Sequence, residues 1–573
     1  YTNREKKGEE RFRLMYADKI LINGRIYTEN KDMMWAEAVA AEDSEFICVG
    51  KNEECMKYKG DNTQVIDLEG KTVIPALIDG HTHPVTVAKT YWHVRMPLTH
   101  DKEQLLANIK EYAAKHPKED CPYFYGESYF AETFGTEGPK KEILDEIISD
   151  RPARIQDFTD HACWYNSIAL EMLDGKAGSP KGEAEFIKDE NGEYTGWALE
   201  AGPDTDFGVY SALGWNPPQG TEEESVAPFL DFLKSKGIVC LMDGFTENEE
   251  SIKMFYEMDK AGRLNMFYEG TSIMGQYENL DEAIERVYDW QKKYTSEHVH
   301  INTVKFFMDG TNEMGDSASL EPMKNDPSGK NFGTANITEE QLTDVLVRLN
   351  REGIDMHIHV VCDRGFRICC NAVENARKIC GDEWKIYVTL AHCELIHPDD
   401  MKRVAELGIF IDWTTHWSGG YFGTAAIEYL GRERWNTMYD FTKIIADGGT
   451  VGFSSDLFSY QEAHRGDPYF GIQTAMTRKD ILMPLDPDEI PGSVRPPETA
   501  KLSLEQLMRG YTYNNAFRMR MIDKLGTIEA GKLANLIVLN KDIFSLEAEE
   551  IHTVKPEMVL FEGKEQELKE ISF

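Results

Sequence analysis

Apolar and polar residues follow two different patterns along the chain. Near both ends, short β-like runs are separated by turns, as in KILINGRIYT and FICVGK near the start and LGTIEAGKLANLIVLNKD near the end. Asn23-Gly24 lies between two of these runs and predicts a hairpin turn. Because neither set of strands is long enough to bury a core of its own, we expect the two ends to form one small β-sandwich.

In the middle of the chain, short apolar runs that end in polar residues alternate with helix-period segments. One helix is delimited by a capping box at Thr338 and Gln341 and by Gly353, with an apolar stripe between them. This alternation predicts an α/β fold with βα units around a parallel sheet. Eight strands close a (β/α)8 TIM barrel. The eight candidate runs are VIPALIDGHTH, GIVCLMDGFT, LNMFYEGTS, NTVKFFMDG, DMHIHVV, IYVTLAHCE, IFIDWTTH and TVGFSSDLF.

These two patterns divide the chain into predicted domains and segments. Residues 1–14 precede the first strand-like run and are expected to be a poorly ordered extension. Residues 15–75 and 521–573 are predicted to form the composite β-sandwich domain, and residues 76–520 the barrel. The segment of about residues 90–230 lacks the alternation of strand-like and helix-like runs. It is interpreted as a long insertion after the first barrel strand.

Composition and charge argue against several classes of protein. The chain is 41% apolar and 28% charged, which is typical of a globular protein. A formal net charge of −38 argues against nucleic acid or an anionic membrane as the main partner. No apolar run reaches the roughly 18 residues that span a bilayer, and the N-terminal segment lacks a signal-peptide core. Ten cysteines without a CxxC pair predict reduced thiols, and we expect a cytoplasmic protein.

In a barrel of this kind, the chemistry lies at the carboxyl ends of the strands. His81 and His83 end the first predicted strand, and residues two apart on a strand share a face. His357 and His359 share a face in the same way, so spacing alone leaves both as candidates. Imidazole nitrogens with one carboxylate suit Zn²⁺, with Fe²⁺ or Mn²⁺ as alternatives. The groups at the strand ends are His81, His83, Lys305, His359, His392 and Asp456.

Five runs resemble the strand motifs of one family, namely PALIDGHTHP, VKFFMDGT, HIHVVCD, TLAHCE and GFSSDLF. The family is the metal-dependent amidohydrolase superfamily, and within it the branch that contains the N-substituted formamide deformylases. The resemblance covers nearly the whole chain from about Met15. It implies that CO2 carbamylates Lys305, which then bridges two metals, and that His359 rather than His357 is a ligand. The implied metal ligands are His81, His83, Lys305, His359, His392 and Asp456.

Two further histidines are catalytic candidates. DHACWYNSIAL resembles an insertion motif of this branch, which implies a role for His161. His416 ends the seventh predicted strand and is the candidate for contacting the substrate carbonyl, with a loop hydrogen bond as the equal alternative. The surroundings depart from the branch, since Ala391 stands where a glutamate is usual and Asn535 where an aspartate is common.

The resemblance implies a hydrolase that cleaves a C–N bond in an amide, a formamide or a related small molecule. Asp456 would take a proton from the attacking water and deliver it to the leaving amine. The implied cofactors are a divalent metal, first of all zinc, with one or two ions per chain, and the carbamate on Lys305. The superfamily also raises the expectation of a homodimer. The alternatives are a mononuclear metal-dependent deaminase on the same fold and a non-catalytic scaffold.

Overall fold

The structure, a computed structural model, describes residues 16–97, 99, 101–157, 162–173, 185–199, 203–420 and 423–569. The predicted extension at 1–14 lies outside these residues. The strands of the described residues are β1 (Ala17–Ile22), β2 (Arg25–Tyr27), β3 (Trp35–Ala36), β4 (Ala38–Glu42), β5 (Glu45–Gly50), β6 (Lys59–Asp67), β7 (Thr72–Pro75), β8 (Leu77–Thr82), β9 (Val94–Arg95), β10 (Phe124–Tyr129), β11 (Ala153–Asp157), β12 (Ala162–Tyr165), β13 (Glu185–Lys188), β14 (Tyr194–Leu199), β15 (Ile238–Asp243), β16 (Phe267–Ile273), β17 (Val299–Phe307), β18 (Asp355–Val360), β19 (Val388–His392), β20 (Phe410–Thr414), β21 (Thr450–Ser454), β22 (Leu536–Leu539), β23 (Pro556–Phe561) and β24 (Lys564–Glu565).

The α-helices of the described residues are α1 (Asn52–Cys55), α2 (Pro84–Lys89), α3 (Lys102–Lys115), α4 (Lys141–Ile147), α5 (Ser167–Leu173), α6 (Phe207–Leu213), α7 (Glu223–Ser235), α8 (Glu249–Lys260), α9 (Leu280–Tyr294), α10 (Glu339–Glu352), α11 (Asp363–Cys380), α12 (Pro398–Met401), α13 (Arg403–Leu407), α14 (Ala426–Leu430), α15 (Arg432–Trp435), α16 (Thr442–Ala446), α17 (Pro468–Thr477), α18 (Leu504–Arg509) and α19 (Asn515–Arg518). Among these described helices, none is long and apolar enough to cross a bilayer.

Eight parallel strands form a barrel whose order follows the chain, from β8 through β15 to β21. Each of the eight candidate runs contributes one strand, which confirms the predicted (β/α)8 TIM barrel. The first and last strands meet near their carboxyl ends. There the Asp456 N–H donates to the His81 carbonyl (2.8 Å), and the His83 N–H donates to the Leu457 carbonyl (3.0 Å). The site residues at the two ends of the barrel sequence are therefore neighbours.

The barrel strands have apolar sequences because they are buried. Every residue of β8 and of β15 is buried, as expected for parallel strands covered on both faces. The helix α10 begins and ends where its capping signals predict. The Thr338 hydroxyl accepts a hydrogen bond from the Gln341 N–H (3.2 Å), and Gly353 ends the helix in the left-handed conformation (φ 73°).

Strands from both ends of the chain form the predicted β-sandwich. One sheet has the order β5-β4-β1-β6, and the other has the order β24-β23-β22-β7-β2-β3. In the second sheet C-terminal strands pair with N-terminal ones, since Ile537 of β22 lies opposite Ile74 of β7. Side chains from both sheets share one apolar core, which includes Leu21, Val39, Phe46, Val73, Leu536, Val538 and Leu560.

The predicted hairpin at Asn23-Gly24 is wrong. Asn23 does adopt the left-handed conformation of a tight turn (φ 57°). However, β1 pairs with β4 and β6, whereas β2 pairs with β3 and β7 in the other sheet. The turn therefore passes the chain from one sheet of the sandwich to the other.

The described residues divide into two compact units. The first contains the barrel and both sheets of the sandwich. The second is built from Thr86–Ser225, which is a long insertion after β8, together with the short segment Ser459–Ala463 after β21. Its sheet has the order β13-β14-β12-β11-β10-β9, and Phe124, Ile155 and Trp164 belong to its apolar core.

Candidate metal centre

The first barrel strand carries two histidines on one face. His81 lies in β8, and His83 is the first residue after that strand. The centroids of their two rings are 5.1 Å apart. His81 is only 1% exposed, because side chains from the opposite strands surround it. Asp79, two residues earlier, accepts hydrogen bonds from the Ser455 N–H (3.0 Å) and hydroxyl (2.6 Å). Asp79 thus fixes β8 to the end of β21, and the two histidines project beyond it.

Asp456, just after β21, meets both histidines. Its Oδ1 lies 3.0 Å from His83 Nε2 and 3.6 Å from His81 Nε2. The three possible ligand atoms all lie within 4.8 Å of one another. The Asp456 backbone is left-handed (φ 46°) and is held there by its N–H bond to His81. A strained backbone held by its surroundings is typical of a functional residue.

The next pair of histidines ends the two strands β18 and β19. His392 Nδ1 lies 3.5 Å from Asp456 Oδ2, and the His392 ring is 5.2 Å from that of His81. The His359 ring lies 4.5 Å from that of His392, and its Nε2 faces the Gly310 carbonyl at 3.3 Å. Four predicted ligand rings therefore follow one another around the strand ends.

His357 lies behind His81. Its Nε2 shares a hydrogen bond with His81 Nδ1 (2.9 Å), and both rings are buried. This bond occupies one nitrogen of His81. The other, Nε2, is buried without a hydrogen-bond partner among the described residues and faces Asp456. His357 therefore contacts the nitrogen of His81 that does not face Asp456.

Lys305 projects from β17 into the same region. It lies opposite His357 in the register of β17 and β18, and it is 1% exposed. Its Nζ stands 4.9 Å above the ring of Phe307. Burial lowers the pKa of Lys305 to about 8, although Asp456, Asp412 and Asp243 act in the opposite direction. With this pKa, about a tenth of the Lys305 amine is neutral at pH 7, far more than for an ordinary lysine.

Asp412 on β20 is a site residue that sequence reasoning missed. Its Oδ1 lies 4.0 Å from His81 Nδ1 and accepts a hydrogen bond from the Ser454 hydroxyl (2.6 Å). Its other oxygen accepts from the guanidinium of Arg518, which also donates to the Gly80 carbonyl (2.6 Å). The available signal was one carboxylate within the apolar run IFIDWTTH.

Gly244, after β15, makes room for the His81 ring. A Cβ atom at this position would collide with Nε2 and Cδ2 of His81. The Gly244 N–H also donates to the Thr82 carbonyl (2.8 Å), so the backbone there is fixed. The absence of a side chain at 244 is thus a requirement of the site.

His416 is buried, but its described contacts do not include the four rings. It lies in the turn Thr415–Ser418 after β20, and its ring stacks on Phe470 of α17 at 5.5 Å. Both ring nitrogens lack a hydrogen-bond partner among the described residues. Its neighbour Trp417 stacks on His392 at 5.4 Å. His161 lies outside the described residues.

Electrostatics favours metal-binding protonation states. Burial, reinforced by the positive charge of Lys305, holds the pKa values of His81 and His357 well below the ordinary range. Burial also lowers the pKa of His392 to about 4. Burial by itself would raise the pKa of Asp456, but His392 and His83 outweigh it and hold that pKa low. Neutral imidazoles beside an ionised carboxylate are the forms in which these groups bind metals.

The sequence of the chain matches the model of the amidohydrolase family over residues 64–565. It is 25% identical over 554 residues to the amidohydrolase YtcJ of Bacillus subtilis, covering 94% of this chain and 98% of that protein. It is 24% identical over 545 residues to the N-substituted formamide deformylase of Arthrobacter pascens, covering 92% and 94% of the two chains. A crystal structure of a metal-dependent hydrolase from Pyrococcus furiosus has a TM-score of 0.66 at 22% identity, covering 91% and 99%, and supports the fold.

The chain belongs to the amidohydrolase family. Together with the barrel and the strand-end residues, this membership defines a hydrolase of the metal-dependent amidohydrolase superfamily. The family implies a divalent metal and a small-molecule substrate. The donor set at the strand ends fits such a metal, because the buried His81 Nε2 and the Asp456 carboxylate face each other beside His83.

Proposed function

We propose that the chain hydrolyses a C–N bond of a small amide or formamide at a divalent metal site formed by its strand ends. The observation that supports this most is the buried Nε2 of His81, which has no hydrogen-bond partner among the described residues and lies 3.6 Å from Asp456 and beside His83. Burying a polar atom without a partner is costly, and a bound cation would remove that cost. The proposed ligands are His81, His83, Lys305, His359, His392 and Asp456.

Zinc is the metal we propose, with one or two ions per chain. Neutral imidazoles and one carboxylate form a donor set that Zn²⁺ prefers. A divalent cation held there would supply Lewis acidity, lowering the pKa of a water and polarising the substrate carbonyl.

Lys305 is proposed to react with CO2 as the neutral amine. The amine nitrogen forms a bond to the carbon of CO2, one proton leaves, and the product is a carbamate whose single negative charge is shared by two oxygens. Burial supports this step because it lowers the pKa of Lys305 to about 8. The carbamate would replace a repelling ammonium by a group able to bridge two cations.

Asp456 is proposed as the group that moves the proton. It would accept a proton from the attacking water on its carboxylate and later release it to the nitrogen of the leaving amine. The contact with His83 fixes Oδ1 (3.0 Å), and His392 lies beside Oδ2 (3.5 Å). Both contacts hold the carboxylate in one orientation, as proton transfer requires.

His416 and His161 are proposed to face the substrate. The support for His416 is its burial at the end of the seventh barrel strand, beside the Trp417 that packs on His392. As a neutral imidazole it would donate a hydrogen bond to the carbonyl oxygen, because burial keeps its pKa well below the ordinary range. The role of His161 stays a prediction from the resemblance.

The test combines metal quantitation with a substrate screen. The full chain, purified without chelators, is expected to contain one or two zinc ions and to convert N-formyl or N-acyl amines into a carboxylate and an amine. Mass spectrometry of the native chain should detect the carbamate on Lys305. If the chain contains one metal and releases ammonia from ring substrates, this proposal is overturned and the protein is a deaminase. If the purified chain contains no metal, the protein is a non-catalytic scaffold.

A further inference from the structure

A pair of cysteines lies in the β-sandwich. Cys48 belongs to β5 and Cys55 to α1, and their sulfur atoms are 2.9 Å apart. The Cys55 thiol donates its hydrogen to the Cys48 sulfur. A disulfide brings two sulfurs to about 2.05 Å, so only about 0.9 Å of approach separates these thiols from bonding distance.

Regular backbone structure holds the two sulfurs in place. Cys48 lies opposite Ala40 in the pairing of β5 with β4. The Cys55 N–H donates to the Lys51 carbonyl (3.2 Å), which fixes the short helix α1 to the end of β5. The contact between the sulfurs therefore does not depend on a chance meeting of two loops.

The two thiols differ in their access to solvent. Cys55 is fully buried in a small apolar core with Ala17, Ile20, Ala38 and Ala40, whereas Cys48 is half-buried at its border. A small oxidant dissolved in water can therefore reach Cys48 before it reaches Cys55.

We propose that Cys48 and Cys55 are an oxidisable thiol pair that closes to an intrachain disulfide in the presence of a peroxide. In the first step the Cys48 sulfur attacks one peroxide oxygen, the O–O bond breaks, and a sulfenic acid and water form. In the second step the Cys55 sulfur attacks the Cys48 sulfur, the S–O bond breaks, and a second water leaves. In total, two thiols lose two electrons and two protons, and hydrogen peroxide is reduced to two water molecules.

The order of the two steps follows from the surroundings. Burial raises the pKa of Cys55, and the adjacent Cys48 raises it further, so Cys55 is a poor first nucleophile. It is well placed to resolve a sulfenic acid that forms 2.9 Å away. Rapid closure would protect Cys48 from irreversible oxidation to the sulfinic acid.

Peptide mapping of the full chain tests the proposal. After a low excess of hydrogen peroxide and quenching with an alkylating agent, the peptides that contain Cys48 and Cys55 should be linked. Both alkylation sites are lost, the mass falls by two hydrogen atoms, and dithiothreitol reverses the change. Cys380→Ser is the matched control, since Cys380 is the other half-buried cysteine, and it should leave the link intact.

A trapping experiment checks the intermediate. In Cys55→Ser, the reagent dimedone should label Cys48, and in the unchanged chain this label should be lost because Cys55 reacts first. If Cys55→Ser does not fold, mapping of the unchanged chain decides alone. The proposal is overturned if Cys48 and Cys55 remain alkylatable at a peroxide dose that oxidises Cys380, or if Cys48 accumulates as the sulfinic acid.

Discussion

The barrel strand ends and the β-sandwich bury very different groups. The sandwich core contains apolar side chains such as Val73 and Leu536 between two regularly paired sheets. The strand ends bury His81, Lys305 and Asp456, and His81 leaves a ring nitrogen without a partner among the described residues. Burial of apolar surface stabilises a fold, whereas burial of unpaired polar groups opposes it. The strand ends therefore cost stability, which the sandwich and the barrel walls offset, and such a local cost is typical of a functional site.

The strongest test of this contrast is Asp456→Asn. The amide keeps the shape of the side chain but cannot accept the proton, so we expect kcat to fall by about 10²–10⁴-fold. The thermal unfolding temperature should change little. Steady-state kinetics on the best substrate from the screen, together with calorimetry, measures both. Asp382→Asn, at an exposed position, is the control and should keep full activity. More than a tenth of the original kcat in the Asp456 variant would remove this residue as the base.

The reverse pattern is expected for Leu536→Ala in the sandwich. This side chain is fully buried, so its truncation should lower the free energy of unfolding by about 2–5 kcal/mol. The kcat of the folded fraction should stay the same, because no proposed site residue belongs to that core. Leu536→Met preserves the volume and should cost less than about 1.5 kcal/mol. Denaturant unfolding measures the first effect, and a matching loss of kcat would contradict the separation of the two regions.

The variant His357→Ala tests whether His357 supports a metal ligand or is a ligand itself. Loss of the hydrogen bond to His81 Nδ1 should weaken metal binding about 10–100-fold without abolishing it. His359→Ala should have the larger effect if His359 is a ligand. Competition with a chelator measures both affinities, and His300→Ala, which breaks a contact to Glu269, is the control. If the His357 variant loses metal completely while the His359 variant retains it, the two roles are exchanged.

The smallest effect concerns a buried histidine outside the site. Its burial would lower the pKa of His298, but Glu562 (3.2 Å) and Asp259 (2.6 Å) outweigh burial and raise it above its ordinary 6.5. A raised folded-state pKa means that this contribution to stability is complete below pH 6.5 and is lost as pH rises through the raised value. His298→Gln should remove this pH dependence, with a difference of about 1 kcal/mol at pH 6. Unfolding curves from pH 6 to 9 test it, and equal slopes for both chains would contradict it.

The turn and strand motifs show which features of the fold are determined by residues close in sequence. The eight barrel strands and the capped helix α10 are found where their patterns predict them. Asn23-Gly24 also forms a tight turn, but the predicted hairpin is absent from the described sheets. Instead β1 pairs with β4 and with β6, where Lys19 lies opposite Gln64, and these pairings depend on distant residues. Local residues can set a turn, whereas the choice of a partner strand depends on the whole core.

The sequence by itself determined the residue types at the strand ends, because a polar group that closes an apolar run is visible without any partner. Only the tertiary structure decided which of these groups meet. His83 and Asp456 are 373 residues apart, and Asp412 and Arg518 are 106 apart, yet both pairs are in contact. His357 and His359 have the same spacing signal, and the structure gives them different neighbours, His81 for His357 and His392 for His359. The physical reason is that side-chain periodicity is a property of one strand, whereas a metal site is a property of several strands that closure of the barrel brings together.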